Sequence, residues 1–368
     1  MGKKYFLGLA AGRKNATKQL LTHGSNKDCI RLTNFLQKKY NGEVILTKNG
    51  RSALALALKS YFNKGDKIIV NGFTCYAVFE AVKAAGLTPV FCDIETKTLN
   101  FDLDFLQKLC QKEQSIKGIV VQNTLGNPVD MQKIEKLAQE CNLTIIEDLA
   151  HSAGVKYPDG REAGTVGAAT ILSFGKDKSI DTTSGGAVIL RNSPLNTIQA
   201  PSKIPKISDT LRSRFYPLFG TICRGLTHVR LGGALMRLLV KIHWVEKSAD
   251  NRLDLACKIN KFEAKLALEQ LKKLNKNGEP PLREFYLVNN REDILKKLHK
   301  SGYYFDGFWY EKPVSPVRYY KKVHFPEETC KTAVLVANKI VNLPTYYSKS
   351  ELREARKIIE ENLWTGEQ

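Results

Sequence analysis

An α/β protein with a mainly parallel, helix-flanked sheet and a smaller C-terminal α/β lobe is what this sequence predicts, on three observations. Short apolar runs alternate with amphipathic segments from about residue 43 to 191, the alternation stops at 193, and a second helix-and-strand series follows 251. Strands alternating with helices of such length are βα units, the building blocks of parallel sheets. The expected domains are therefore residues 1–250, with 193–250 as a basic amphipathic insertion, and residues 251–368.

The elements follow in order. VILT (44–47) is a buried strand and RSALALALKSYFNKG a helix; KIIV (67–70) is the next strand, TCYAVFEAVKAAG a helix, and TPVFCDI (88–94) a strand. Asp102 and Asp130 each open a helix, leading to the strands IKGIVVQN (116–123) and LTIIEDLA (143–150). ATILSF (169–174) and GGAVILRN (185–192) complete the sheet. The insertion carries nine Lys+Arg against three acids, interleaved with large apolar residues. Helices are then expected over 252–275, 290–301, 326–340 and from Ser348 to Asn362.

Composition narrows the function. Formal net charge is +20, from 57 Lys+Arg against 37 Asp+Glu, which suits phosphorylated substrates, anionic lipid or nucleic acid. The basic residues are dispersed and no nucleic-acid motif accompanies them, so a specific nucleic-acid partner is not expected. The eight cysteines contain no CxxC pair and the six histidines no HxxxH, so reduced thiols and no metal site are expected. MGKKYFLGLAAGRK lacks a signal-cleavage pattern, and no apolar run reaches a membrane-spanning length, which makes a cytoplasmic location the expectation.

Ligands collect at the C-terminal ends of strands in an open parallel sheet. Asn49-Gly50-Arg51-Ser52 sits at one such strand-to-helix turn, where helix-start amides can hold a phosphate, although an ordinary N-cap turn reads the same way. GxGxxG and GxxxxGK[ST] are both absent, so a usual dinucleotide or nucleoside-triphosphate site is disfavoured. Glu147-Asp148 closes a buried strand. SFGKDKSIDTTSGG (173–186) places Lys176 and Lys178 ahead of a Gly-Gly turn, either as solvated cations or with one as a Schiff-base lysine.

These stretches, with NGRSALALAL (49–58), LGNPVDM (125–131), IIEDLAHSAG (145–154) and KIVNLPTYYSKSEL (339–352), resemble the DegT/StrS-type sugar aminotransferases, pyridoxal-phosphate enzymes of fold type I. The resemblance covers nearly the whole chain except 193–250. It implies Lys178 as the catalytic, cofactor-bearing lysine, Asp148 as the partner of the pyridine nitrogen, and Ser173 with Gly50 and the amides of Arg51 and Ser52 around the phosphate. His151 stands where a glutamine is usual near the ring. The implied reaction moves an amino group from an amino acid, glutamate by expectation, to a nucleotide-linked keto-sugar in amino-sugar or polysaccharide synthesis. A homodimer is implied as well.

The chain departs from the family pattern in places. Cys75 replaces the stacking aromatic, leaving Phe73 or Tyr76 to supply a ring or the cysteine itself to pack there. Ser184 replaces an acid, and Leu255-Ala256-Cys257-Lys258 replaces an Asn-Tyr-Arg contact with the partner subunit. A non-catalytic cofactor-binding member and a sugar dehydratase are the alternatives; dehydratases of the family usually exchange the lysine for histidine, and Lys178 is present. The insertion reads either as a packed helical layer or as an interfacial face touching an anionic membrane.

Overall fold

The apolar runs of residues 43–190 form one seven-stranded sheet in the computed structural model, which describes residues 5–7, 16–192, 199–226, 231–245, 252–305 and 309–366. The strands are β1 (Glu43–Thr47), β2 (Lys67–Asn71), β3 (Thr88–Cys92), β4 (Ile116–Gln122), β5 (Thr144–Asp148), β6 (Ala169–Ser173) and β7 (Gly186–Leu190). Their order across the sheet is β1-β7-β6-β5-β4-β2-β3. Only β7 runs against its neighbours. No helix interrupts the β6–β7 connection, so the chain returns antiparallel beside the strand it has just left.

Each strand feeds two cores, because successive side chains leave opposite faces. Ile68, Val70 and Val120 pack on one side of the sheet, and Ile69, Ile119 and Val121 on the other. The covering helices are α1 (Asn26–Tyr40), α2 (Gly50–Tyr61), α3 (Tyr76–Ala84), α4 (Leu103–Lys112) and α5 (Met131–Glu140). Burial on nearly every side of α2 accounts for its all-round apolar sequence. Asp102 and Asp130 cap α4 and α5 as expected, accepting from the amides of Phe105 (3.0 Å) and Lys133 (3.2 Å).

The insertion contributes α6 (Ile207–Leu226) and α7 (Gly232–Lys241). Pro217 lies inside α6 and cannot donate to the carbonyl of Ser213. Gln19 Nε2 donates to that carbonyl instead, at 2.8 Å, which lets the helix continue.

The helix expected over 252–275 is shorter: α8 spans Lys261–Leu271. Asn260 and Glu263 form a capping box that starts it, and residues 252–260 have no helical turns before it. Ile259, Ala264 and Leu268 share a core with Leu32 and Leu36 of α1. Beyond α8, β8 (Arg283–Leu287) pairs antiparallel with β9 (Ile340–Pro344). α9 (Arg291–Lys300) and α11 (Arg353–Glu360) enclose Val288, Leu298, Leu343 and Leu352. Between them in sequence, α10 (Lys331–Lys339) starts later than the expected 326. Residues 326–330 turn back on Pro326, and the carboxylate of Asp93, remote in sequence, caps the amides of Thr332 and Ala333 at 2.9 Å.

Candidate active site

Strand register brings the suspected residues to one edge. Gln122 at the end of β4 lies beside Asp148, Asp148 beside Ile171, and Gly186 beside both Thr47 and Ser173. The resulting cavity has a volume of about 1010 Å³, at the upper end of small-ligand pockets. Gly50, Arg51, Asp148, His151, Ser173 and Lys178 all line it.

One wall is the start of α2. Asn49 caps the helix by accepting from the amide of Ser52 at 2.9 Å. Its neighbour must be glycine: a Cβ on Gly50 would stand 2.5 Å from the Cβ of Ser173. On the strand opposite, a Cβ on Gly186 would stand 2.6 Å from the carbonyl carbon of Asn49. Helix start and Ser173 are therefore in direct contact, with the positive end of the helix dipole at the cavity. Ser52 stands apart from this arrangement. Its amide is engaged by Asn49, its hydroxyl accepts from the amide of Asp254 at 3.1 Å, and it does not line the cavity. Of the expected Arg51–Ser52 pair, Arg51 faces the cavity, with its guanidinium ion-paired to Glu80.

The two adjacent acids divide their work. Glu147 is fully buried on the side away from the cavity and accepts from Tyr157 Oη and the amides of Gly164, Val166 and Gly167 at 2.5–2.8 Å. It anchors the loop after β5. Asp148 faces the cavity, with Oδ1 accepting from the amide of Ala150 at 2.9 Å. Burial pushes its carboxyl above the usual aspartate range, and the Ala150 bond and Lys178 pull the other way.

The lysines separate as clearly. Lys176 lays its ammonium 3.7 Å from the ring centroid of Tyr216 on α6, a cation–π contact. Lys178 places Nζ 2.9 Å from His151 Nε2 and 4.9 Å from the ring centroid of Trp309. The proton positions here follow from the partners. A backbone N–H only donates, so His151 Nδ1, which receives the amide of Leu125 at 3.3 Å, is unprotonated. Burial, with Lys178 and Arg283 nearby, holds the imidazole well below its ordinary pKa, so the ring is neutral and its one hydrogen sits on Nε2. That hydrogen lies between Nε2 and Lys178 Nζ, 2.9 Å apart. Burial lowers the lysine's own pKa in the same direction, against the opposing pull of Cys75, Asp148 and Asp177.

The aromatic wall came from a part of the chain the sequence reading did not connect to the site. Trp309 stacks on His151 with centroids 4.6 Å apart and planes 7° from parallel, and Tyr310 lies beside it. Neither ring expected in place of Cys75 reaches the cavity. Phe73 is fully buried edge-on to Tyr310, and Tyr76 stacks on Tyr319 at 4.3 Å. Cys75 lines the cavity and caps α3, while Ser184 donates to the carbonyl of Lys48 at 2.9 Å. Residues 256–258 are tied by backbone bonds to Lys48, Ser202 and Lys203.

A lysine amine, a buried carboxylate at a strand end, and a glycine-opened helix start against a serine hydroxyl form a donor set that suits a phosphorylated pyridine aldehyde. The class is an open-sheet α/β protein built to hold such a group at its strand ends. The sequence model of the DegT/DnrJ/EryC1/StrS aminotransferase family matches residues 14–216, and the chain belongs to that family. The match reaches into α6, within the stretch the motifs left uncovered, and ends before the motif at 339–352. Among curated relatives, GDP-perosamine synthase of Escherichia coli O157:H7 is 35% identical over 163 residues, 44% of each chain. GDP-4-keto-6-deoxy-D-mannose 3-dehydratase of Yersinia pseudotuberculosis is 35% identical over 138 residues, 38% of this chain and 34% of the relative. The chain thus spans under half the length of these relatives. A solved DegT DnrJ EryC1 StrS aminotransferase from Brucella abortus superposes with a TM-score of 0.66 at 20% identity, covering 91% of this chain and 90% of that one. The shared architecture is fold type I.

Proposed function

We propose that this chain is a pyridoxal-phosphate-dependent aminotransferase that moves an amino group from an amino acid, glutamate, to a nucleotide-linked keto-sugar. The observation that carries the reading is Lys178 Nζ, 2.9 Å from His151 Nε2 and in the same cavity as Asp148. Family membership and the names of the relatives support the sugar substrate, and Arg212, Arg224 and Arg237 of the insertion, which line the cavity, suit a diphosphate. The presence of Lys178, where family dehydratases usually have histidine, favours transamination over dehydration.

When bound, pyridoxal phosphate supplies an aldehyde carbon that takes up the amine and a ring that accepts electrons from the neighbouring carbon. The start of α2 and the hydroxyl of Ser173 bind its phosphate. Asp148 holds a proton on the ring nitrogen; a positive charge there offsets the burial that pushes its carboxyl up. Lys178 Nζ, with its pKa lowered, takes a proton from the donor's α-carbon and returns one to the acceptor. His151 orients that amine through Nε2–H, and Trp309 with Tyr310 excludes water from one side. We extend the reading to a homodimer acting in the cytoplasm; all eight cysteines are free thiols, in keeping with a reducing compartment.

The test is spectroscopic. The chain supplied with pyridoxal phosphate should show a visible absorbance band that glutamate discharges with release of 2-oxoglutarate. Borohydride treatment before glutamate should label Lys178 in peptide maps. A label on Lys176, or no spectral response to any amino donor, would reject the assignment.

A further inference from the structure

The two helices of the insertion are turned the wrong way round for a simple packed layer. α6 buries Ser213, Pro217, Gly220 and Cys223, which are small or weakly apolar, and three of these line the cavity. Its opposite side carries Ile207, Leu211, Phe215, Leu218 and Ile222, spaced four, four, three and four residues apart, hence on one helical stripe. Ile207 is 79% exposed, and Leu211 and Ile222 are exposed too. α7 repeats the pattern. It buries Gly232 and Leu239, packs Leu235 partly against that core, and exposes Leu238 with the flanking Leu231 and Ile242. Among the described residues, twelve large hydrophobics are exposed, and eight of them fall between Ile204 and Trp244. Scattered exposed leucines need no explanation, but this concentration on two aligned stripes does.

Charge decides what covers the stripes. Of the seven cations in the described part of the insertion, Arg212, Arg224 and Arg237 line the cavity and Arg214 donates to the carbonyl of Leu20, while Lys203, Lys206 and Lys241 are exposed outside it; the one described acid is Asp209. That acid is itself ion-paired to Lys48 at 3.1 Å. A two-fold contact with a second copy would set the same patch against itself and face these cations with their equivalents. An anionic surface compensates them instead. Trp244, 54% exposed just past α7, adds an aromatic of the kind that settles at the lipid head-group level. Aliphatic stripe, cationic flanks and a terminal tryptophan together describe an interfacial helix pair. We infer that α6 and α7 dock this protein on an anionic lipid bilayer through their outer faces. The cavity-lining inner faces of the same helices then sit one helix diameter from the lipid. The inference does not depend on the chemistry assigned to the cavity.

The experiment is co-flotation of the full chain, loaded with pyridoxal phosphate, with phosphatidylglycerol vesicles and with phosphatidylcholine vesicles. Binding is expected to phosphatidylglycerol at low salt, with at least a tenfold loss at high salt, and none to phosphatidylcholine. Ile207→Ser/Leu211→Ser/Leu238→Ser/Ile242→Ser should abolish flotation while leaving the cofactor absorbance unchanged. Charge reversal at Lys203, Lys206 and Lys241, none of which lines the cavity, should weaken it by about fivefold or more per charge. No flotation with phosphatidylglycerol at low salt would overturn the inference, and so would flotation that ignores both variants. Sedimentation without lipid gives the third arm: a dimer that the stripe variant dissociates would make this face a protein interface instead.

Discussion

At the strand edge, the groups able to form hydrogen bonds turn inward and find partners. On α6 and α7, Ser213, Gly220 and Gly232 turn inward together with Leu239, while Ile207, Leu211, Ile222 and Leu238 turn outward. Both surfaces border the same cavity, yet the first is built for exact proton placement and the second for contact beyond the molecule. The difference lies in what each buries. Four donors surround Glu147. Two hydrogen bonds fix the tautomer of His151, whereas the buried core between α6 and α7 is Cys223, Leu239 and Val245, with Tyr216, Phe219, Leu235, Met236 and Val240 only partly buried against it. A segment with so little core of its own leans on its neighbours, and Glu263 is where it does so. This acid, fully buried on α8, accepts from Ser213 of α6 while closing the capping box with Asn260.

The comparison breaks first at the lysines. Lys178→Ala should lower turnover by about 10⁴-fold or more and remove the borohydride label, because amine and base are lost together. Asp148→Asn should follow with a loss of about 10³-fold at unchanged fold, since a neutral amide no longer favours a protonated ring nitrogen. Lys176→Ala should stay within severalfold of the parent, its cation–π contact belonging to the wall and not to the chemistry. Steady-state rates with glutamate and one keto-sugar acceptor decide all three. A Lys176→Ala loss as large as that of Lys178→Ala would erase the distinction between them.

A smaller effect sharpens the view of how the wall is fastened. Burial raises the carboxyl of Glu263 from 4.5 to about 7, against hydrogen bonds from Ser213 and Asn260. Between those two values the folded chain keeps a proton that the unfolded chain has released. Stability from this group is complete below about 4.5, falls as pH rises, and is lost above about 7, a decline of roughly 3 kcal/mol. Glu263→Gln, which copies the protonated acid, should flatten that slope in urea unfolding measured from pH 5 to 8. An unchanged slope would mean that Glu263 is already ionised across the range.

The least of these effects tests the cradle. Gly50→Ala forces a Cβ onto Ser173 and should cost about 1–3 kcal/mol of stability. Adding Ser173→Gly removes the opposing Cβ and should recover part of that loss, a coupling that a double-mutant cycle reads directly. Strict additivity would show that the helix start and Ser173 are not in contact.

Periodicity and local chemistry in the sequence were enough for the sheet, its mainly parallel sense, the caps at Asp102 and Asp130, and the gathering of Gly50, Asp148, Ser173 and Lys178 at one edge. All of these depend on residues a few positions apart, or on the rule that parallel strands present their ends together. The start of α8 was legible as well, in the Asn260–Glu263 pair, but an apolar pattern that continues upstream outweighed it. Tertiary structure alone decided the rest. Whether Glu147 or Asp148 faces the cavity is set by a one-residue alternation in a strand buried on both faces. Ser52 gave its amide to the Asn49 cap and its hydroxyl to the amide of Asp254, Trp309 reached His151 from far along the chain, and Asp93 capped a helix remote in sequence. The outward turn of the aliphatic stripes on α6 and α7 was equally hidden, because an amphipathic pattern gives a helix two faces and only its packing partner selects the one that is buried.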